Sequence, residues 1–176
     1  MSGIIGVSPD MRSGMIGKPP IGSVIQTVYN EATTENSITA TSNSSPTNTE
    51  ADGTIVPRFA SSKILGMFDV HLRLHNDGSS TDGGVGMKIY DSRTSSYIYI
   101  DGADAHMGLY IANSANSGDQ NEWRGRHSIK FLIDAGTTAS RVYTVFAWKY
   151  PSSNSPVVYA HVNASKSHII LQEISN

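Results

Sequence analysis

Residues 63–75 read KILGMFDVHLRLH, and this stretch decides the fold class. Every second position is apolar or glycine, the set being Ile64, Gly66, Phe68, Val70, Leu72 and Leu74. The intervening positions carry mostly polar side chains, together with Leu65 and Met67. A period of two residues over this length is typical of a strand that buries one face. On a helix the apolar set would be scattered around the circumference, so a strand is predicted.

Shorter segments of the same kind fill the rest of the chain, with turn residues such as Asp-Gly pairs between them. Strands are predicted at 22–29, 37–42, 54–59, 85–89, 97–100, 107–111, 128–133, 141–148, 157–162 and 167–174. Pro57 confines its strand to a sheet edge or a bulge. No convincing helix and no internal repeat is visible. The pattern predicts an all-β fold, an antiparallel β-sandwich or jelly roll.

The first 21 residues form a predicted extended N-terminal arm, which leaves residues 22–176 as a single β-sandwich domain. Four glycines and the pair Pro19-Pro20 exclude a regular helix or strand in this arm. Apolar side chains recur in it at short intervals, as expected of a segment that lies along a surface. That surface is either its own domain or a neighbouring subunit or host particle. The predicted attachment residues are Ile4, Ile5, Val7, Met11, Arg12, Met15, Ile16, Pro19 and Pro20.

Composition and charge exclude several classes of function. The chain has 176 residues, which fits one domain, and it has no cysteine for disulfides, thiolate metal sites or a thiol nucleophile. A net charge of -2 argues against a nucleic-acid partner. No apolar run is long enough to span a membrane, and no signal peptide is visible at the N-terminus. Charged residues make up only 16% of the chain, and Ser, Thr, Asn and Gly replace them, as is common in extracellular and virion β-proteins.

Residues that could carry catalysis or bind a metal do not fall into a recognisable pattern. His71 and His75 have the spacing of a zinc pair on a helix, but on a strand they lie ~13 Å apart. The Asp-Gly pairs lack the spacing of a calcium loop and are explained as turns. Nucleophile elbows, Walker loops and dinucleotide fingerprints are also absent from the sequence. We therefore expect a protein that is not an enzyme and holds no cofactor or metal.

The second face of the 63–75 strand is a candidate interaction surface. Asp69, His71, Arg73 and His75 alternate along it. They either face solvent or line a polar interface between subunits. In an interface, protonation of His71 and His75 near the ordinary histidine pKa of ~6.5 would tune assembly.

Three aromatic residues form a second group of candidate ligand residues. Tyr97 and Tyr99 share one face of a predicted strand, and Trp123 precedes the basic cluster Arg124-Gly125-Arg126, which is predicted to lie in a solvated loop. Such side chains either stack on sugars and anchor interfaces or fill the sandwich core.

Several segments resemble one family. GSVIQ at 22–26, SSKIL at 61–65, SIKFLID at 128–134, TTASRVY at 137–143 and HIILQEI at 168–174 occur in this order. The order is similar to that in small β-sandwich proteins of tailed phages, especially marine ones, described as tail-fibre-like or virion structural proteins. The segment 8–14 (SPDMRSG) also resembles their N-terminal peptide.

The resemblance implies a protein of the virion surface, made in the host without a signal peptide. It implies a homotrimer whose other partners are capsid, neck or tail proteins, and it transfers no catalytic residue. Because no fibre shaft follows the last strand, a capsid decoration protein, a head fibre or a short appendage knob is expected. The alternative is a tail-fibre module that recognises host surface glycans.

Overall fold

The fold is a two-sheet, all-β sandwich, which confirms the predicted class. The computed structural model describes residues 19–75, 83–101, 109–111, 122–149 and 157–176. In chain order the strands are β1 (Val24–Ala32), β2 (Asn36–Ser37), β3 (Thr47–Ile55), β4 (Lys63–His75), β5 (Gly83–Asp91), β6 (Ser96–Asp101), β7 (Leu109–Ile111), β8 (Glu122–Asp134), β9 (Arg141–Lys149), β10 (Val157–Ala160) and β11 (Ser167–Ile174). A short 3-10 turn, Val162–Ala164, connects β10 to β11.

The first sheet, sheet A, is built around β4. One edge of β4 pairs with β8 from Lys63–Asp134 to His75–Glu122, along its whole length. Its other edge pairs first with β11 and then with β10. β11 in turn pairs with β1, and β10 with β2, so that sheet A has six strands, all antiparallel. The C-terminal strand therefore lies in the interior of the sheet.

The second sheet, sheet B, has five strands in the order β3-β9-β5-β6, with β7 pairing the beginning of β5. The core lies between the two sheets. Ile64, Phe68, Val70, Leu72 and Leu74 of β4 have no exposed surface, as the alternation in the sequence predicts. Among the described residues no helix has the length and apolar character needed to cross a membrane.

Gly66 occupies an apolar position of β4 for a packing reason. The ring of Phe131 lies over it, and a Cβ atom at this position would collide with that ring. Phe131 in turn stacks on Phe68 and Tyr143, with centroid distances of 6.2 and 4.8 Å. The glycine thus allows three aromatic rings into the core next to the central strand.

Two predicted strands are misplaced. The strand predicted at 54–59 is β3 and ends at Ile55, so Pro57 lies outside it, and β3 begins at Thr47 within a segment predicted to be a loop. Gly53 lies within β3 because the side chains of Ile169 and Leu171 approach it: an added Cβ would lie 2.7 Å from Ile169 Cγ2. The strand predicted at 37–42 is only the pair Asn36–Ser37.

β8 is longer than predicted. It begins at Glu122 instead of 128, so Arg124, Gly125 and Arg126 are strand residues and not a loop. Gly125 is tolerated there because the indole of Trp123 lies over it, 2.7 Å from an added Cβ. The turn expected between the strands at 63–75 and 85–89 falls largely on residues 76–82, which lie outside the described part. Gly83 already belongs to β5.

A candidate interaction face on the six-stranded sheet

The outward side of sheet A presents alternate side chains of β1, β11, β4 and β8, and we call it the outer face. β4 and β8 are each 13 residues long. With nine residues in β1 and eight in β11, a strand spacing of ~4.8 Å and a rise of ~3.3 Å per residue give an area on the order of 700 Å². The outer face divides into an apolar half near the beginning of β4, bordered by the Lys63–Asp134 ion pair and by Lys130, and a polar half near the end of β4.

The apolar half is a row of side chains brought together by strand register. Tyr29 pairs with Ile170, and Ile170 pairs with Met67. Leu65 pairs with Leu132 in the adjacent row. Tyr29 and Leu132 are 55% and 56% exposed, and the other three are half-buried. We call these five residues the apolar block. None of them was a predicted site residue, although Leu65 and Met67 interrupt the polar face of their strand.

The polar half contains all four predicted residues of β4, and each of them contacts neighbouring groups of its own chain. The hydroxyl of Ser128 donates to Asp69, and Ser165 Oγ lies 2.7 Å from His71 Nδ1. Arg73 Nη2 donates to Glu122 Oε2 at 2.9 Å, and His75 Nδ1 lies 3.7 Å from the same oxygen.

Glu122 is the acidic centre of this half. Arg124 and Arg73 both donate to its carboxylate. These hydrogen bonds, first that from Arg124 and then that from Arg73, hold the pKa of Glu122 below its ordinary value. The β4 residues therefore form a network with β8, as opposed charges on neighbouring strands do.

A series of hydrogen bonds runs from Arg126 to Glu31 along the boundary between the two halves. Arg126 Nη2 lies 3.1 Å from His168 Nε2, and Tyr29 Oη lies 2.7 Å from His168 Nδ1. Since Arg126 can only donate, Nε2 accepts, and the neutral ring carries its hydrogen on Nδ1 and donates to Tyr29. Tyr29 donates to Glu31 at 2.6 Å, and Lys166 donates to the second carboxylate oxygen at 2.6 Å. The Lys166 hydrogen bond is the main cause of a lowered pKa at Glu31.

Of the predicted aromatic ligand residues, Trp123 lies apart from Tyr97. Trp123 faces the interior and packs against the core, so it is not on the outer face. Tyr97 lies on sheet B, 36% exposed, with its ring 5.4 Å from that of Tyr90 and 5.8 Å from that of Phe146. Tyr99 pairs with Ile89 in β5, and its side chain lies outside the described part.

Only Pro19 and Pro20 of the predicted attachment residues belong to the described part. Pro19 is buried, and its carbonyl accepts a hydrogen bond of 2.8 Å from the hydroxyl of Ser175. A turn follows, in which Ser23 N donates to Pro20 O at 3.0 Å and Gly22 has φ 84°. The chain is therefore fixed to its own domain from Pro19 onward, and Pro19 is not available to another surface. Ile4, Ile5, Val7, Met11, Arg12, Met15 and Ile16 lie outside the described residues.

Within the described ranges, no three His, Asp or Glu side chains come close enough to hold a metal ion. The lining of the outer face is instead apolar and ion-paired, a surface suited to contact with another macromolecule.

Two of three comparisons with known proteins found no match, and the third found solved structures of low similarity. No family model matches the chain, and no curated protein matches it. Among solved structures, a mutant VP2 protein of Infectious Bursal Disease Virus in derived T=1 particles is similar over 88% of this chain, with 15% identity and a TM-score of 0.23. Other T=1 particles derived from the same virus give 13% identity over 88% of this chain and a TM-score of 0.21. The chain spans 42% of the length of either protein, and superpositions this poor support no inference about function.

Proposed function

We propose that this protein is a structural protein of a phage virion, displayed on the particle surface, that assembles with copies of itself through the outer face. The virion and phage parts rest on the sequence resemblance. The self-assembly part rests on the geometry of sheet A. A capsid decoration protein, a head fibre or a short appendage knob fits this description.

The observation that carries the proposal is the apolar block. Contiguous exposed apolar surface beside polar residues marks interaction sites in soluble proteins. At 55% and 56% exposure, Tyr29 and Leu132 leave large side chains in water on β1 and β8, the two outermost strands of this face. The area of the face, on the order of 700 Å², is close to the ~800 Å² that one partner contributes to a standard interface.

The polar half suits such an interface because its charged side chains already form ion pairs within the chain. Arg73 is bonded to Glu122, and Lys166 to Glu31, at 2.9 and 2.6 Å. A pair that is satisfied before association needs no new partner when it is partly desolvated, so it opposes binding less than a lone charge would. In a homotrimer these pairs would form the polar rim around the apolar contact.

The self-assembly part is tested by Leu132→Lys, with Val56→Lys as the matched control. Val56 is 55% exposed and lies in the loop after β3, outside the outer face. We expect light scattering to give an oligomer for the wild type and for Val56→Lys, and a monomer for Leu132→Lys. An unchanged oligomer for Leu132→Lys would contradict the assignment of the outer face.

Attachment through the N-terminal arm belongs to the same proposal. Because Pro19 is bound to Ser175 at 2.8 Å, the deletion that tests attachment ends at residue 18 and not at residue 21. The shortened protein should fold but fail to be incorporated into particles, as read from mass spectrometry of purified virions. Normal incorporation would refute an attachment role for residues 1–18.

A second candidate function is recognition of host glycans, favoured by the aromatic group on sheet B. Tyr97, Tyr90 and Phe146 contact one another edge to face, and Lys88 Nζ lies 3.6 Å from the centre of the Tyr97 ring. Exposed tyrosine rings are suitable stacking surfaces for sugars. Loss of cell adsorption in Tyr97→Ala, with Val56→Ala as the control at an exposed position outside both faces, would support this function, and equal adsorption would contradict it.

A further inference from the structure

The loop from 161 to 166, between β10 and β11, has an unusual backbone. His161, Asn163 and Ala164 adopt positive φ angles of 60°, 56° and 56°. Non-glycine residues rarely adopt this left-handed conformation, which costs about 1–2 kcal/mol for each residue. Three such residues within four positions persist only where surrounding contacts hold them.

The contacts that hold this loop are centred on His71 of β4. The backbone N–H of His161 donates to the carbonyl of His71 at 3.0 Å. Ser165 Oγ lies 2.7 Å from His71 Nδ1, and the N–H of His71 donates to Ser167 Oγ at 2.8 Å. The loop is thus fastened to the central strand at both of its ends.

The His161 side chain is buried, and its polar ring nitrogens lack hydrogen bonds within the described part. It has no exposed surface, and among the described residues neither ring nitrogen has a hydrogen-bond partner. Burial, and then the neighbouring His71, lower the pKa of His161. His71 itself is affected by burial and by Arg126 and Arg124, which all lower its pKa. Two acidic side chains of the described ranges contact the loop: Glu35, whose Oε2 accepts the N–H of Asn163 at 3.3 Å, and Glu31, which pairs with Lys166 at 2.6 Å.

We propose that the 161–166 loop is an acid-released clasp at the rim of the outer face, with His161 as its trigger. Within the described ranges a proton on the buried imidazole meets no acceptor, which favours the protonated ring in an open loop, where water can solvate it. Opening also relieves the left-handed backbone of three residues. His161 thereby joins His71 and His75, the residues predicted from the sequence to titrate at an interface.

The clasp is coupled to the rim through Lys166. Its carbonyl accepts from Arg126 at 3.3 Å, and its Nζ is bonded to Glu31 at 2.6 Å. Opening the loop therefore removes the cation that pairs with Glu31 and the carbonyl that accepts from Arg126, which keeps its contact with His168. This coupling rests on the proposed function, and it predicts that acid weakens the self-assembly of the protein.

The direction of the pH effect follows from linkage. Folded His161 has a pKa below that of the open state, so the open state binds more protons once the pH falls below about 6.5. Closing is therefore unaffected by pH above about 7 and becomes weaker as the pH falls from about 6.5 toward the folded pKa.

Hydrogen exchange measured by mass spectrometry at pH 7.5 and 5.0 tests the clasp on the full chain. After correction for intrinsic exchange, amides of 161–166 should lose protection at pH 5.0 relative to pH 7.5, because the open state binds the additional proton. Amides of β9 serve as the internal control and should keep theirs. His161→Asn should abolish the loss, because Asn tolerates the left-handed backbone and does not titrate in this range. Equal protection at both pH values in the wild type, or the same loss in His161→Asn, overturns the proposal.

Two further measurements distinguish failure of the clasp, failure of its coupling to assembly and failure of the proposed function. Proton NMR of the wild type should show two histidines, His71 and His161, that titrate below the ordinary range, and titration of all six histidines in the ordinary range overturns the clasp even if His161→Asn does not fold. Light scattering at both pH values then tests the coupling. A pH-sensitive loop with an unchanged oligomer refutes the coupling alone, whereas a monomer at both pH values refutes the proposed function and leaves the clasp standing.

Discussion

Replacing Glu173 should destabilise the sandwich strongly. Its side chain has no exposed surface at the end of β11. Its two oxygens accept hydrogen bonds from the N–H groups of Arg58 and Phe59, both at 2.9 Å, and from the Ser62 hydroxyl and the Gln26 amide, both at 2.7 Å. One buried charge thus fixes the loop before β4 to both β1 and β11.

The size of the effect follows from which donors lose their acceptor. In Glu173→Ala, the partly buried N–H groups of Arg58 and Phe59 lose their charged acceptor, while Ser62 keeps the Phe59 carbonyl, and we expect a loss of about 4 kcal/mol in the free energy of unfolding. In Glu173→Gln, one side-chain oxygen still accepts hydrogen bonds, but the negative charge and the second acceptor oxygen are lost. We expect a loss of about 2 kcal/mol, which lowers Tm by about 4–8 °C in a domain of this size.

The pH dependence gives a second test of the same contact. Burial alone would raise the pKa of Glu173, but the hydrogen bonds from Arg58, Ser62, Phe59 and Gln26 together hold it below its ordinary value. A carboxyl with a lowered folded pKa stabilises the fold above its unfolded pKa and loses that contribution as the pH falls. Wild-type stability should therefore decline below about pH 4.5, and this part of the decline should be missing in Glu173→Gln.

Urea unfolding followed by tryptophan fluorescence measures both effects. Glu50→Gln is the matched control, because Glu50 is exposed on β3 and its change should stay within about 0.5 kcal/mol. The explanation would be refuted by an unfolding midpoint of Glu173→Gln equal to that of Glu50→Gln, or by an acid decline identical to that of the wild type.

Two further changes test the packing. Gly66→Ala should cost about 3 kcal/mol or more, because the new methyl group collides with the ring of Phe131; thermal unfolding measures it, and an unchanged Tm would refute the role given to Gly66. Asp91→Ala should cost about 3–5 kcal/mol, because it leaves Arg141 buried at 1% exposure without its ion-pair partner. The double variant Asp91→Ala with Arg141→Met should regain part of that loss in urea unfolding, and no regain would argue against an uncompensated charge as the cause.

The fold could be predicted where one strand carries its own signal. The alternation of apolar and polar residues in 63–75 and in 167–174 predicts β4 and β11 with the observed ends. A strand with one buried face shows this alternation within its own segment, so no distant contact is needed to recognise it. β3 could not be predicted in the same way. Its Asp52-Gly53 pair looks like a turn, and only the approach of Ile169 from the opposite sheet explains a glycine within a strand.

The candidate site shows the same limit. Asp69, His71, Arg73 and His75 share a strand, so their common face was predictable from sequence. The apolar block was not, because Tyr29, Leu65, Met67, Leu132 and Ile170 meet only through the register of four strands. The trigger residue His161 carries no sequence signal either, since its burial depends on the conformation of the loop around it.

The native mass of the wild-type protein at pH 7.5 tests the central claim most directly. One chain has a mass of 18.9 kDa, and self-assembly through the outer face predicts a whole-number multiple of it, with three copies expected. The same species should collapse to 18.9 kDa in Leu132→Lys. A wild-type mass of 18.9 kDa at concentrations well above those in a lysate would contradict the claim that the outer face is a subunit interface.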